Sequence, residues 1–177
     1  MIKGAKIYLS NLERDNLEQL RLWRNNPELR QYFREYREIS PDMQKAWYES
    51  RVLNNPNQVD FEIHDLETSK LIGHCGLYYI NWTYRTGEFG IYLGDTDYRG
   101  KGYGSDSLKT LVKYGFDDLN LNRIWAEVYT NNTALDLYTH VGFKVEGVMR
   151  QTVYKNGSYY DSTMIGMLKS EYESLYK

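Results

Sequence analysis

The stretch Tyr98-Arg99-Gly100-Lys101-Gly102-Tyr103-Gly104-Ser105 sits between a strand-like run ending near Leu93 and the clearest helix in the chain. In that helix Leu108, Leu111, Val112, Gly115, Phe116 and Leu119 recur at i, i+3, i+4, i+7, i+8 and i+11, one continuous apolar stripe. A glycine-rich loop feeding a helix start presents unpaired backbone N–H groups at the positive end of the helix dipole. Glycine lets the backbone approach a ligand closely and take positive φ, so such a loop suits a phosphate or pyrophosphate. Arg99 and Lys101 add formal charge at the same place. The nucleotide P-loop is excluded because it needs Lys-Ser/Thr after its last glycine. The Gly-x-Gly-x-x-Gly dinucleotide fingerprint fails because Ser105 stands where its third glycine belongs. Arg-x-x-Gly-x-Gly, met by Arg99, Gly102 and Gly104, is what fits.

Outward from this loop, apolar periodicity orders the chain. Lys6–Leu9 reads as a first strand. A helix through Leu17, Leu20 and Trp23 follows, with Ser10 or Asn11 as its cap, and Asn25-Asn26-Pro27 ends or kinks it. Ser40-Pro41-Asp42 marks a second helix start. From Val59 the pattern turns to strands: Val59–Asp65, Leu71–Ile80 and Glu88–Leu93, with a turn near Tyr84–Gly87. After the central helix come a strand at Arg123–Tyr129, a short helix carrying Ala134, Leu137, Tyr138 and Val141 with Gly142 as its stop, and two strands around Lys144–Tyr154 and Tyr159–Leu168. Asn156-Gly157 joins the last two as a hairpin turn. The reading is α/β (α+β): a mixed, mostly antiparallel, seven-stranded twisted sheet with helices on both faces, in one domain over residues 1–177.

Composition narrows the function. The 177 residues hold 22 Lys plus Arg against 24 Asp plus Glu, a net charge of −2 that argues against nucleic-acid tracking as the main task. No apolar run approaches a membrane span and no leader core opens the chain, so the expectation is a cytoplasmic protein with no membrane partner. The single Cys75 allows no internal disulfide, and flanked by Gly73 and Gly76 in an apolar strand it reads as a small core residue. His64, His74 and His140 lack ligand spacing, so no metal is expected.

The segment Arg99–Gly104 resembles the pyrophosphate loop of the GNAT acyl-CoA N-acyltransferases. The resemblance continues through Leu121-Asn122-Arg123-Ile124, Asn131–Tyr138, Val141-Gly142-Phe143 and Glu146-Gly147. With Trp23–Glu28 and Gly157–Met167 it covers nearly the whole chain, and it is nearest to the branch of ribosomal-protein N-terminal, spermidine and amino-sugar acetyltransferases. It implies an acetyl-CoA-dependent N-acetyltransferase acting by direct amine attack in a ternary complex. It also implies that the fourth strand, here Glu88–Leu93, splays from the fifth. Ile91, Tyr92 and Leu93 would then offer backbone groups to the pantetheine arm and thioester oxygen. The pyrophosphate would rest on Arg99, Gly100, Lys101, Gly102, Tyr103, Gly104 and Ser105, and Asn131 would reach the cofactor.

Two further roles follow from the resemblance. Tyr138 matches the tyrosine that protonates the leaving thiolate, although its place on an apolar stripe also fits a core residue. Glu88 stands where a carboxylate often takes the amine's proton; its other reading is an exposed strand carboxylate or a charge partner for Arg85. Acceptor choice is placed in the first helices and the hairpins, with Arg30, Arg34, Glu35, Arg37 and Trp82 as contacts. Arginines interleaved with Tyr32, Phe33 and Tyr36 suit a small anionic or amino-sugar-type amine. A polyamine or a protein N-terminus is the alternative acceptor, and a non-catalytic acyl-CoA sensor the alternative to an enzyme. A small-molecule acceptor is favoured over a protein, and a homodimer is left open.

Overall fold

The computed structural model describes residues 1–177. Strands β1 (Ile2–Lys3), β2 (Ile7–Asn11), β3 (Val59–Asp65), β4 (Leu71–Asn81), β5 (Thr86–Leu93), β6 (Arg123–Tyr129), β7 (Lys144–Lys155) and β8 (Ser158–Leu168) form one sheet in the order 1-2-3-4-5-6-8-7. Eight strands replace the seven expected, because Ile2 and Lys3 pair with Leu9 and Tyr8 across a tight turn. Two residues are too few for alternation to register. All neighbours are antiparallel except β5 and β6.

Alternation along the strands sends the two sets of side chains into different layers. Ile7, Leu9, Phe61, Ile63, Leu77, Phe89, Ile124, Val128 and Ile165 bury one face of the sheet. Helix α4 (Tyr103–Lys113), whose last turn widens over Tyr114–Asp118, packs its stripe of Leu108, Leu111, Val112 and Phe116 into this core without residual exposure. Helix α5 (Leu135–Val141) ends at Gly142 as expected, and α6 (Lys169–Tyr176) stacks Tyr172 on Phe116 with ring centroids 5.1 Å apart.

The opposite face receives α1 (Leu17–Asn25), α2 (Pro27–Arg30) and α3 (Pro41–Trp47). Ser40 caps α3 as expected, its Oγ accepting from the Met43 N–H at 3.2 Å. The cap assigned to Ser10 or Asn11 is corrected: both pair with β3, and α1 begins only at Leu17 after a turn at Arg14–Asn16. That turn is held from another strand. Glu62 of β3 accepts from the Glu13 N–H at 2.8 Å and from Asn16 Nδ2 at 2.9 and 3.0 Å.

The feature that makes a site is where β5 and β6 part. They pair at Thr86–Arg123, Gly87–Ile124 and Glu88–Trp125 and nowhere beyond. β5 continues along β4 to Leu93, while β6 continues along β8 to Tyr129. From Phe89 onward a wedge opens between them, at the expected pair of strands, which the extra edge strand makes fifth and sixth.

Candidate active site

The wedge widens into a cleft of about 1430 Å³ that reaches the glycine loop, the start of α5 and the α1–α3 side. Gly100 and Gly102 hold φ of +70° and +87°, and Gly102 caps α4 without any side-chain bond. The first N–H groups of a helix lack partners within it, so this loop offers donors to an anion. Gly104 matters differently: a Cβ there would lie 3.2 Å from Leu137 Cδ1, so its bareness lets α4 and α5 close up. Arg99 donates from Nε and Nη2 to the Leu93 carbonyl at 3.2 and 3.0 Å, tying the loop to the strand end.

Of the expected donor-end residues, Ile91, Tyr92, Leu93, Arg99, Gly100, Gly102, Gly104 and Ser105 line the cleft. Lys101 and Tyr103 line a separate hollow with Asp65 and Lys70. The Tyr103 hydroxyl donates to Asp65 at 3.2 Å, and the Lys101 carbonyl accepts from Lys6 Nζ at 2.9 Å. Asn131 is not among the lining residues, and its Oδ1 is buried without a partner, while Asn132 and Thr133 line the cleft.

Tyr138 joins both of its sequence readings. It belongs to the core, with its ring edge-on to Phe89 at 5.1 Å, and it also lines the cleft. Burial alone pushes its phenol up to about 12, because the phenolate would lose its hydration. Cys75, fully buried, is held as the thiol for the same reason.

Across the sheet the same alternation presents polar groups. Glu88 and Tyr92 of β5, His74 and Tyr78 of β4, and Glu127 of β6 line the cleft. Glu88 is 5% exposed, and its oxygens accept from Arg34 at 2.5 and 2.9 Å. Arg34 also donates to Glu127 at 3.1 Å, so one guanidinium sits between two carboxylates. Those two carboxylates hold Arg34 firmly in its charged form. Glu88 is thus buried rather than exposed, and its ion-pair partner is not Arg85 but Arg34, from the segment assigned to the acceptor.

The rest of that segment divides. Glu35 lines the cleft, and its pairing with Arg37 lowers its carboxyl to about 2. Arg37 itself and Arg30, paired with Glu38 at 2.6 Å, are outside the wall. Trp82 is half-exposed at the β4–β5 turn, its Nε1 donating to the Pro56 carbonyl at 3.2 Å, also outside the wall. The β7–β8 hairpin reaches this region through Lys155, whose Nζ donates to the Phe33 carbonyl at 2.7 Å.

Wall residues not foreseen are Arg24, Trp47, Arg51, His74, Tyr78 and Glu127. Tyr78 lies over Gly76 and Gly90. A Cβ on Gly90 would lie 2.7 Å from Tyr78 Cε2, and one on Gly76 would lie 2.7 Å from its hydroxyl, so the ring lies flat over both glycines. Pairing of β4 with β5 puts the two glycines opposite each other, a register no local pattern shows.

Residues 6–144 match the family model of the acetyltransferase (GNAT) domain. The chain belongs to the GNAT acetyltransferases. It is 30% identical over 170 residues to spermidine N(1)-acetyltransferase of Vibrio cholerae, covering 96% of each protein. An uncharacterized N-acetyltransferase, p20, of Bacillus licheniformis is 32% identical over 174 residues, 94% of this chain and 95% of that one. The crystal structure of the V. cholerae spermidine N-acetyltransferase with CoA and spermine matches with a TM-score of 0.90 at 29% identity, over 96% of this chain and 99% of the other. As a GNAT acyl-CoA N-acyltransferase the protein uses acetyl-CoA.

Proposed function

We propose that this GNAT acetyltransferase moves an acetyl group from acetyl-CoA to a primary amine of a small molecule by direct attack. The observation that carries the reading is the single cleft in which Tyr138, Glu88, the unpaired β5 edge and the glycine loop converge. Acetyl-CoA supplies an activated thioester. The pyrophosphate would lie at the start of α4 between Arg99 and Ser105, and the edge of Ile91–Leu93 would donate to the pantetheine arm and the developing oxyanion.

Tyr138 holds the proton that the departing sulfur needs. Its burial makes it a weaker acid than a free phenol. The same dry surroundings raise the proton affinity of a thiolate beside it, so donor and acceptor move together. Glu88 already accepts from Arg34 through both oxygens, so its proposed task with Glu127 is to draw and orient the acceptor's ammonium. The ammonium must lose its proton before attack, and the open cleft lets water carry it away.

Polyamines are the acceptor class that the relatives support best, since spermidine acetyltransferases match over nearly the full chain. Glu88 and Glu127 share the single guanidinium of Arg34, a net negative cluster in the cleft that favours a cationic acceptor, while the arginine basis for an anionic one weakens because Arg30 and Arg37 lie outside the wall. Initial rates of thiol release with spermidine, spermine, amino sugars, aminoglycosides and N-terminal peptides test the assignment. Turnover concentrated in the polyamines supports it. Turnover of peptides alone would refute the small-molecule reading.

A further inference from the structure

The cleft wall carries four arginines, and their partners set them apart. Arg34 lies between Glu88 and Glu127, and Arg99 is tied to the Leu93 carbonyl at the donor end. Arg24 and Arg51 remain, on the α1–α3 wall, and neither forms an ion pair. Arg24 is half-buried, with its guanidinium over the Phe33 ring at 5.5 Å from the centroid. It is close enough to Tyr78 and Tyr92 for its charge to oppose the burial that raises both phenols.

Asp60, whose charge acts on the same two phenols, makes no ion pair with Arg24. Asp60 is 8% exposed, and its two oxygens engage His74 Nε2 at 3.0 Å and Gln58 Nε2 at 2.7 Å. His74 in turn packs against Trp47 and Tyr92, with centroids 6.1 and 5.6 Å away. The oxygens of Asp60 are taken up by His74 and Gln58, and Arg24 lines the cleft with no carboxylate bonded to it. A guanidinium taken partly out of water without a counter-ion favours any acidic group that reaches it.

We infer that Arg24, assisted by Arg51, forms an anion-binding subsite in the acceptor half of the cleft, which extends the acceptor range to amines that also carry a phosphate or carboxylate. The inference rests on the N-acetyltransfer reading for its meaning, but not for its detection. The tyrosine hydroxyls of Tyr78 and Tyr92 are held as neutral donors beside it, and the aromatic rings of Phe33 and Trp47 flank a planar or sugar body. An acceptor bound this way would place its acidic group against Arg24 and its amine towards Glu88 and Glu127.

Inorganic phosphate is the probe, titrated by calorimetry into protein saturated with CoA so that the donor-end phosphate sites are filled. Wild-type protein should bind it, Arg24→Gln about tenfold to a hundredfold more weakly, and Arg24→Lys in between, as a charge-assisted bond predicts. The rise in melting temperature on adding acetyl-CoA reports that each variant is folded. Absence of phosphate binding in the CoA-saturated wild type, or equal affinity in Arg24→Gln, would overturn the subsite. A failure of acetyl transfer would leave the calorimetric result standing, so the two readings fail separately.

Discussion

Tyr138 and Arg34 are the side chains on which the proposed chemistry turns. Replacing Tyr138 with Phe removes one hydroxyl from a packed site and keeps the ring on Phe89. The expected result is a fall in kcat of about 10²–10⁴-fold with little change in KM for acetyl-CoA, measured where chemistry limits the rate. A loss below about threefold would return Tyr138 to a packing role. Its titration also has a stability consequence. The phenol moves from 10.0 to about 12 on folding, so the unfolded chain ionises first. Stability from this group is therefore unchanged below pH 10 and declines as pH rises from 10 towards 12, which denaturant titrations of wild type and Tyr138→Phe would show by difference. Arg34 occupies the place between Glu88 and Glu127 that an acceptor ammonium would otherwise fill. Arg34→Gln should lower KM for a polyamine by roughly tenfold, the scale of one charge-assisted bond. A raised KM would mean that Arg34 itself holds the acceptor. The sequence shows both residues but not their relation, since Arg34 and Glu88 lie 54 positions apart.

The glycine loop with α4 shows why some elements read cleanly from sequence and others do not. Its stripe and its Arg-x-x-Gly-x-Gly opening are local patterns, and the helix begins at Tyr103 as they require. Within it, the glycines have unlike tasks. Gly102→Val places a β-branched residue at φ +87° with Lys6 Nζ in ordinary contact at 3.7 Å, so the strain falls on the loop. The fold should persist while the rise in melting temperature with acetyl-CoA is lost. Gly104→Val instead presses on Leu137 and should lower stability even without ligand. Equal ligand response in a folded Gly102→Val would disconnect this loop from the cofactor. The start of α1 was not legible because its anchor, Glu62, belongs to another strand. For the same reason Lys101 and Tyr103 are in the motif but turn away, each held by a partner, Lys6 or Asp65, outside it.

At the scale of the molecule, one departure from sheet pairing creates the cleft. Continuous pairing of β5 with β6 would satisfy every backbone group and leave no cleft; pairing that stops at Glu88–Trp125 leaves an open edge. The family resemblance carried the position of that opening, whereas the residues of its proposed acceptor wall come from α1, α3, β4, β5 and β6 and meet only when the chain folds. The core that holds the wedge open rests on α4, so Phe116→Ala, at a site with no residual exposure, should cost about 3–5 kcal/mol in denaturant unfolding. Binding should act in the opposite direction. Acetyl-CoA at 100 times its Kd stabilises the folded state by about 2.7 kcal/mol, a rise of roughly 5–10 °C in Tm for a chain of this size. The central claim is that this cleft passes acetyl from thioester to amine without a covalent enzyme step. Isotope-labelled acetyl-CoA, incubated with the amine panel and followed by mass spectrometry of amines, free CoA and protein together, measures it directly. One labelled amide should form for each thiol released, with the mass of the protein unchanged. Firm acetyl-CoA binding without acetylation of any amine, or label retained on the protein, would contradict it.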